Sequence, residues 1–115
     1  MTGQVFNWLR GLFRPLHRSS EYQQQVDAET QHLALYHLPL CSYCLYVRRT
    51  LWRLSLNIEL RNILEGQWGS ELRNEGGKIQ TPCLQIRHPD RVEWMYESAE
   101  ITRYLKQRFG ANSKT

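Results

Sequence analysis

Apolar and polar positions along the chain switch between a helical and an extended period, and their order predicts most of the architecture. Residues 4–16 place Val5, Trp8, Leu9, Leu12, Phe13 and Leu16 at spacings of three and four, an amphipathic helix. Asn7, Arg10 and Arg14 lie on its other side, and Pro15 limits its end. Residues 17–31 are polar and Gln-rich, and read either as a linker or as a polar helix from Ser20 to Thr30. The main domain is expected to begin near Gln31 and to run to Gly110, with 111–115 a flexible tail. Within it, His32–Leu38 is an apolar run that stops at Pro39. Cys44–Leu56 has Leu45, Val47, Leu51, Trp52 and Leu54 at helical spacings, a buried helix with Arg48, Arg49 and Arg53 outside. Asn57–Ile63 alternates Ile58 and Leu60 with Glu59 and Arg61, a strand period. Gly66–Glu75 is a short helix ended by Gly76-Gly77.

Cys83–Arg87 and Val92–Tyr96 read as two strands joined by the turn His88-Pro89-Asp90-Arg91. Ser98 is the expected N-cap of a last helix, Ala99–Phe109, with Ile101, Tyr104, Leu105 and Phe109 on one face and Gly110 as its stop. The order β-α-β-α-β-β-α predicts an α/β domain with a four-stranded mixed sheet covered by helices. The first two strands, joined by a helix, are expected to be parallel and the hairpin pair antiparallel.

Charge and composition narrow the function classes. The net charge is +4, yet the first 20 residues carry Arg10, Arg14 and Arg18 with no acid, and the remainder is nearly balanced. The body therefore lacks the basic bias of a nucleic-acid binder. No stretch approaches the roughly 18 apolar residues of a membrane-spanning helix. Arg10 and Arg14 interrupt the apolar run that a signal peptide needs, which makes the cytoplasm the expected location. For residues 4–16 the readings are packing on the body or on a second copy, lying on an anionic membrane surface, or binding a partner.

The chemistry gathers at the cysteines. Cys41, Cys44 and Cys83 are odd in number, and the first two are three residues apart, which argues against a secreted disulfide framework. A structural zinc site needs four ligands, usually from a second close pair, and Cys83, His37 and His88 offer no such spacing. No metal is expected. Cys41 and Cys44 fall where a strand ends and a helix begins. Unsatisfied N–H groups and the helix dipole favour a thiolate there, so Cys41 is the expected nucleophile and Cys44, one turn on, the group able to attack a mixed disulfide on it. Cys83 reads as a small core residue and His37 as a hydrogen-bonded packing residue, since thiol exchange at a helix start requires no separate base.

Leu35-Tyr36-His37-Leu38-Pro39-Leu40-Cys41-Ser42-Tyr43-Cys44 resembles the start of a glutaredoxin, whose usual motif is Cys-Pro-Tyr-Cys after a strand. Gln80-Thr81-Pro82 resembles that family's cis-proline segment, and Glu97-Ser98 the Glu-Ser motif of glutathione-transferase N-terminal domains. The resemblance covers roughly residues 32–109. It implies a thioredoxin-like fold and a glutathione-dependent thiol–disulfide oxidoreductase, a dithiol glutaredoxin. Catalysis would rest on Cys41 and Cys44. Glutathione, as co-substrate, would be bound by Tyr43, Gln80, Thr81, Pro82, Glu97 and Ser98, and the partners would be glutathionylated or disulfide-bonded proteins. Thr81 would pair its backbone with the cysteinyl part of glutathione, and Glu97 and Ser98 would hold the γ-glutamyl end. Two positions depart from the pattern. Ser42 replaces the family's Pro, and Leu38 stands where many glutaredoxins have Lys, leaving Arg48, Arg61 or Lys78 to meet the glycyl carboxylate. The alternative is a carrier holding a [2Fe–2S] cluster between two subunits through Cys41 and glutathione. A conjugating transferase is not expected, because such enzymes need a following helical domain of about 100 residues and Phe109 is followed here by six residues.

Overall fold

The Ser19 hydroxyl accepts a hydrogen bond from the Tyr22 N–H at 3.2 Å and so starts helix α1, Ser20–Thr30. The computed structural model describes residues 16–110. After α1 come β1 (Leu33–His37), α2 (Ser42–Arg53) and β2 (Glu59–Asn62). A short α3 (Trp68–Glu71) widens into a π-helical turn over Leu72–Gly76, and β3 (Cys83–Arg87), β4 (Val92–Met95) and α4 (Ser98–Phe109) follow. The expected amphipathic segment at 4–16 and the tail at 111–115 lie outside the described residues, apart from Leu16.

The four strands form one mixed sheet in the order β2-β1-β3-β4. β1 runs parallel to β2, with Ala34 opposite Glu59, and β3 pairs antiparallel with β4, as the connections predict. β1 also pairs antiparallel with β3, with Tyr36 opposite Cys83. The strand period then sorts side chains to two faces. Leu33 and Leu35 of β1 and Leu84 and Ile86 of β3 point to one face, where α2 brings Val47 and Leu51 and α4 brings Ile101, Leu105 and Phe109. Tyr36 and Cys83 point to the other, under Leu72 with Trp68, Trp94 and Tyr96 packed around them.

Tyr36 is fully buried, so its hydroxyl must be satisfied. It donates to Glu71 and accepts from Arg61 Nη1 at 2.7 Å, while Arg61 Nη1 also meets the Glu71 carboxylate at 2.8 Å. The Arg61 guanidinium lies 4.4 Å from the centre of the Trp68 ring. Gly76 ends the π turn where no side chain fits: a Cβ there would lie 2.5 Å from the Tyr96 hydroxyl. Gly77 then turns the chain at φ 99°, a conformation that glycine adopts freely.

The core does not stop at the boundary expected near Gln31. Of the two readings of 17–31, the helix is the observed one, and it is docked, not a linker. Val26 joins the main core and Thr30 is buried. The rest of the docking is polar and long-range. Arg18 Nη2 donates to the Phe109 carbonyl at 2.5 Å, at the negative end of α4, and Gln23 Nε2 donates to the Ser55 carbonyl at 3.0 Å. Arg108 pairs with Glu29. A second correction concerns α4. Its N-cap is Glu97, at φ −85° and ψ 123°, and Ser98 is the first helical residue. The register moves because the Glu97 carbonyl already accepts from the Ile101 N–H at 2.8 Å.

Candidate active site

Strand direction alone brings the candidate residues to one edge of the sheet. α2 leaves from the carboxyl end of β1. β3 runs antiparallel to β1, so the Thr81-Pro82 segment before it enters at that same end. β4, antiparallel to β3, is parallel to β1, so α4 also starts there, with Glu97 and Ser98.

Between β1 and α2 the chain turns tightly, the Cys41 N–H donating to the Leu38 carbonyl at 3.1 Å. Cys41 is the N-cap of α2 and half-buried; its carbonyl accepts from the Leu45 N–H at 2.9 Å. Its sulfur lies 4.0 Å from the Thr81 carbonyl oxygen. Cys44 is fully buried beneath it, and its sulfur accepts from the Leu38 N–H at 3.5 Å. That backbone donor carries no side-chain signal, and only the tight turn reveals it. The Thr81–Pro82 bond is cis, as the resemblance implies. Pro82 is buried, Thr81 half-buried and Gln80 exposed. The Thr81 N–H has no hydrogen-bond partner among the described residues, which leaves its edge open to an extended ligand.

The two thiols are driven apart. Burial pushes the Cys41 thiol up. Hydrogen bonds from the Cys44 N–H and thiol, the Tyr43 N–H and the Thr81 side chain outweigh that, and the net shift is downward. No acid stands in the first turn of α2 to oppose a thiolate. Burial raises Cys44, and the neighbouring Cys41 raises it further. All three cysteines are free thiols. Cys83 is fully buried and pushed up to about 12, chiefly by desolvation, the behaviour of a core residue.

Iodoacetamide should therefore modify Cys41 first in the folded protein. The rate should rise with pH with its midpoint below the ordinary thiol value of 9.0, because the thiolate is the reacting form and Cys41 is shifted down. Peptide mapping after a short exposure should find Cys44 and Cys83 unmodified.

The remaining candidate side chains make no hydrogen bond to either thiol among the described residues. Tyr43 is 66% exposed and Leu40 95% exposed, a bare apolar rim beside Cys41. Glu97 is exposed and its carboxylate has no hydrogen-bond or ion-pair partner among the described residues. Arg61 does not serve as a surface cation: its guanidinium is committed to Tyr36, Glu71 and Glu59 and only 13% exposed. Lys78 lies 4.7 Å from the Tyr96 ring centre, and Arg48 is half-buried. His37 corrects another expectation. It is buried, but its Nδ1 finds no hydrogen-bond partner among the described residues, and burial with the Arg48 charge lowers its pKa.

A family profile, glutathione S-transferase N-terminal domain, matches residues 35–113. The chain belongs to this family. No curated protein sequence matches it significantly. Among solved structures, this transferase-type domain superposes on maleylacetoacetate isomerase from Anaeromyxobacter dehalogenans with bound glutathione, at 24% identity and TM-score 0.53, over 69% of this chain and 38% of that one. The same isomerase with bound dicarboxyethyl glutathione and citrate gives 25% identity and TM-score 0.53, over 69% and 37%. A wheat glutaredoxin gives 13% identity and TM-score 0.51, over 82% of this chain and 86% of that one. The fold is thus thioredoxin-like, as the motifs imply. The chain spans less than two-fifths of the length of the isomerase chains.

Proposed function

We propose that the domain is a glutathione-dependent thiol–disulfide oxidoreductase with Cys41 as nucleophile. The observation that carries this reading is the paired chemistry at the α2 N-terminus: a half-buried thiol shifted down, stacked on a buried thiol shifted up. The Cys41 thiolate attacks the glutathione sulfur of a mixed disulfide. The S–S bond breaks, the substrate leaves as a thiolate and takes up a proton, and Cys41 holds glutathione in disulfide linkage. A second glutathione thiolate then attacks that glutathione sulfur, releasing Cys41 and oxidised glutathione. Alternatively Cys44 attacks the Cys41 sulfur and expels glutathione, closing the internal disulfide. In the first branch one disulfide replaces another, one glutathione thiol being consumed as one substrate thiol is released; in the second the Cys41 and Cys44 thiols are oxidised as the mixed disulfide is reduced to two thiols.

Glutathione binding is supported by the open Thr81 backbone edge, the uncommitted Glu97 carboxylate and the α4 N-terminus beside it. The glutathione in the related isomerase structures agrees with this reading. The test is a coupled assay with glutathione, glutathione reductase and a small glutathione mixed disulfide, in which NADPH consumption above the uncatalysed rate is expected. Absence of turnover, with visible sulfide-to-iron bands in anaerobically purified protein, would replace this reading with the cluster carrier.

A further inference from the structure

Edge strands normally blunt themselves with outward charge, and β2 does not on the side that faces α2. It stands at the edge of the sheet and pairs only with β1 among the described residues. The Ile63 N–H donates to the His37 carbonyl at 3.1 Å, and His37 stands opposite Asn62. In a parallel ladder the backbone groups of alternate residues face the partner strand, so those of Glu59, Arg61 and Ile63 face β1. Those of Leu60 and Asn62 face outward. The Asn62 carbonyl accepts from the Glu65 N–H at 2.9 Å. The Leu60 N–H and carbonyl and the Asn62 N–H have no partner among the described residues. The two charges of β2, Glu59 and Arg61, pair with each other on the opposite face of the sheet.

Leu60 shares its face with the buried Ile58 and is 45% exposed. Beside it, between β2 and the outer side of α2, runs a groove of about 500 Å³ whose apolar walls include Leu45, Trp52, Ile58 and Leu60. Leu45 and Trp52 are 48% and 54% exposed. Arg48 and Arg49 line the same groove and no acid does. Neither arginine forms an ion pair among the described residues. Open strand hydrogen bonds, apolar walls and two positive charges without a counter-charge therefore lie together. A second copy of the chain does not fit them. Antiparallel pairing of β2 with another β2 would bring both α2 helices to one face of the joined sheet and set their arginines against each other across the two-fold axis.

We propose that β2 accepts, as an added strand, an extended segment of a partner protein in which apolar and acidic residues alternate along one face. The backbone of that segment supplies the hydrogen bonds that Leu60 and Asn62 lack. Every second side chain turns toward α2, where the apolar ones enter the groove and the carboxylates meet Arg48 and Arg49. The groove begins one helical turn from the nucleophile, since the Leu45 N–H donates to the Cys41 carbonyl at 2.9 Å. A protein held there has its neighbouring segments beside the thiol, but the docking itself does not depend on the thiol chemistry.

The probe is the peptide Thr-Leu-Thr-Glu-Thr-Leu-Thr, which sets Leu, Glu and Leu on one face when extended, together with its analogue carrying Lys in place of Glu. Each is titrated into the isotope-labelled full chain and followed by amide NMR. The Glu peptide should shift the Leu60 and Asn62 amide signals and the Trp52 indole signal to saturation, and bind roughly fivefold or more tightly than the Lys analogue. Added salt should narrow that ratio. Arg49→Glu should reverse the preference between the two peptides. Leu60→Pro removes an N–H that the fold does not use, so helical circular dichroism should hold while peptide binding is lost. Should that variant not fold, Arg49→Glu decides. No saturable shift, shifts confined to other residues, equal affinity for the two peptides or an unreversed preference in Arg49→Glu would each overturn the proposal. So would movement of the same signals with protein concentration and no peptide, which would make a second copy the occupant.

Discussion

Cys41→Ser is expected to lower the reduction of glutathione mixed disulfides by several orders of magnitude, to the uncatalysed rate. Cys44→Ser is expected to retain most of it. The asymmetry follows from position. Cys41 caps α2, is open to an approaching disulfide and is shifted toward its thiolate. A serine hydroxyl at that place stays protonated and cannot attack sulfur. Cys44 is fully buried and shifted the other way, so it acts only after a disulfide has formed on Cys41. Free glutathione can resolve that adduct in its place. Turnover of a small mixed disulfide by both variants in the coupled assay checks this, with circular dichroism to confirm folding. Equal loss in both would mean that the internal Cys41–Cys44 disulfide is obligatory, and the chemistry would then be closer to that of thioredoxin.

The chemistry of this site was readable before the fold because it depends on order along the chain. A strand that ends at Pro39, a Cys-x-x-Cys and a helix put a thiol at a helix N-terminus whatever packs around it. Strand direction then carries Thr81-Pro82 and Glu97-Ser98 to the same edge. What escaped the sequence is held by contacts without a periodic signature. α1 shows no apolar stripe, and its docking rests on single polar side chains, Arg18 to the Phe109 carbonyl and Gln23 to the Ser55 carbonyl. Arg61 looked like a surface cation on an alternating strand, but Tyr36, buried on that face of the sheet, needs a hydrogen-bond donor and takes it. The expected helix over Gly66–Glu75 became four α-helical residues and a π turn that carries Leu72 onto Tyr36 and Cys83. The outer face of α2 escaped for a different reason. Apolar residues at helical spacing read as core, and only the fold shows that Leu45 and Trp52 face outward.

Glu97→Gln is expected to raise the KM for a glutathione mixed disulfide about tenfold or more, and to leave turnover of a disulfide lacking the γ-glutamyl group nearly unchanged. Glu97 is the N-cap of α4, but its side chain makes no capping bond and its carboxylate has no partner among the described residues. It is therefore uncommitted at the edge where Cys41 and Thr81 meet. A ligand ammonium group pairing with it there would be partly withdrawn from water, and a charge-assisted bond of that kind contributes about 1.5–3 kcal/mol. Glutamine keeps the shape and deletes the charge. Because no capping bond is lost, stability should hold, and a change in KM reads binding alone. Ser98→Ala gives the complementary measurement. Ser98 is the first helical residue and not the cap, so its loss should cost less than the roughly 0.5–2 kcal/mol of a removed N-cap. Any rise in KM then belongs to the hydroxyl as a donor to the γ-glutamyl carboxylate. If Glu97→Gln leaves both substrates unaffected, glutathione is not held at the α4 N-terminus, and Glu97-Ser98 is only where that helix begins.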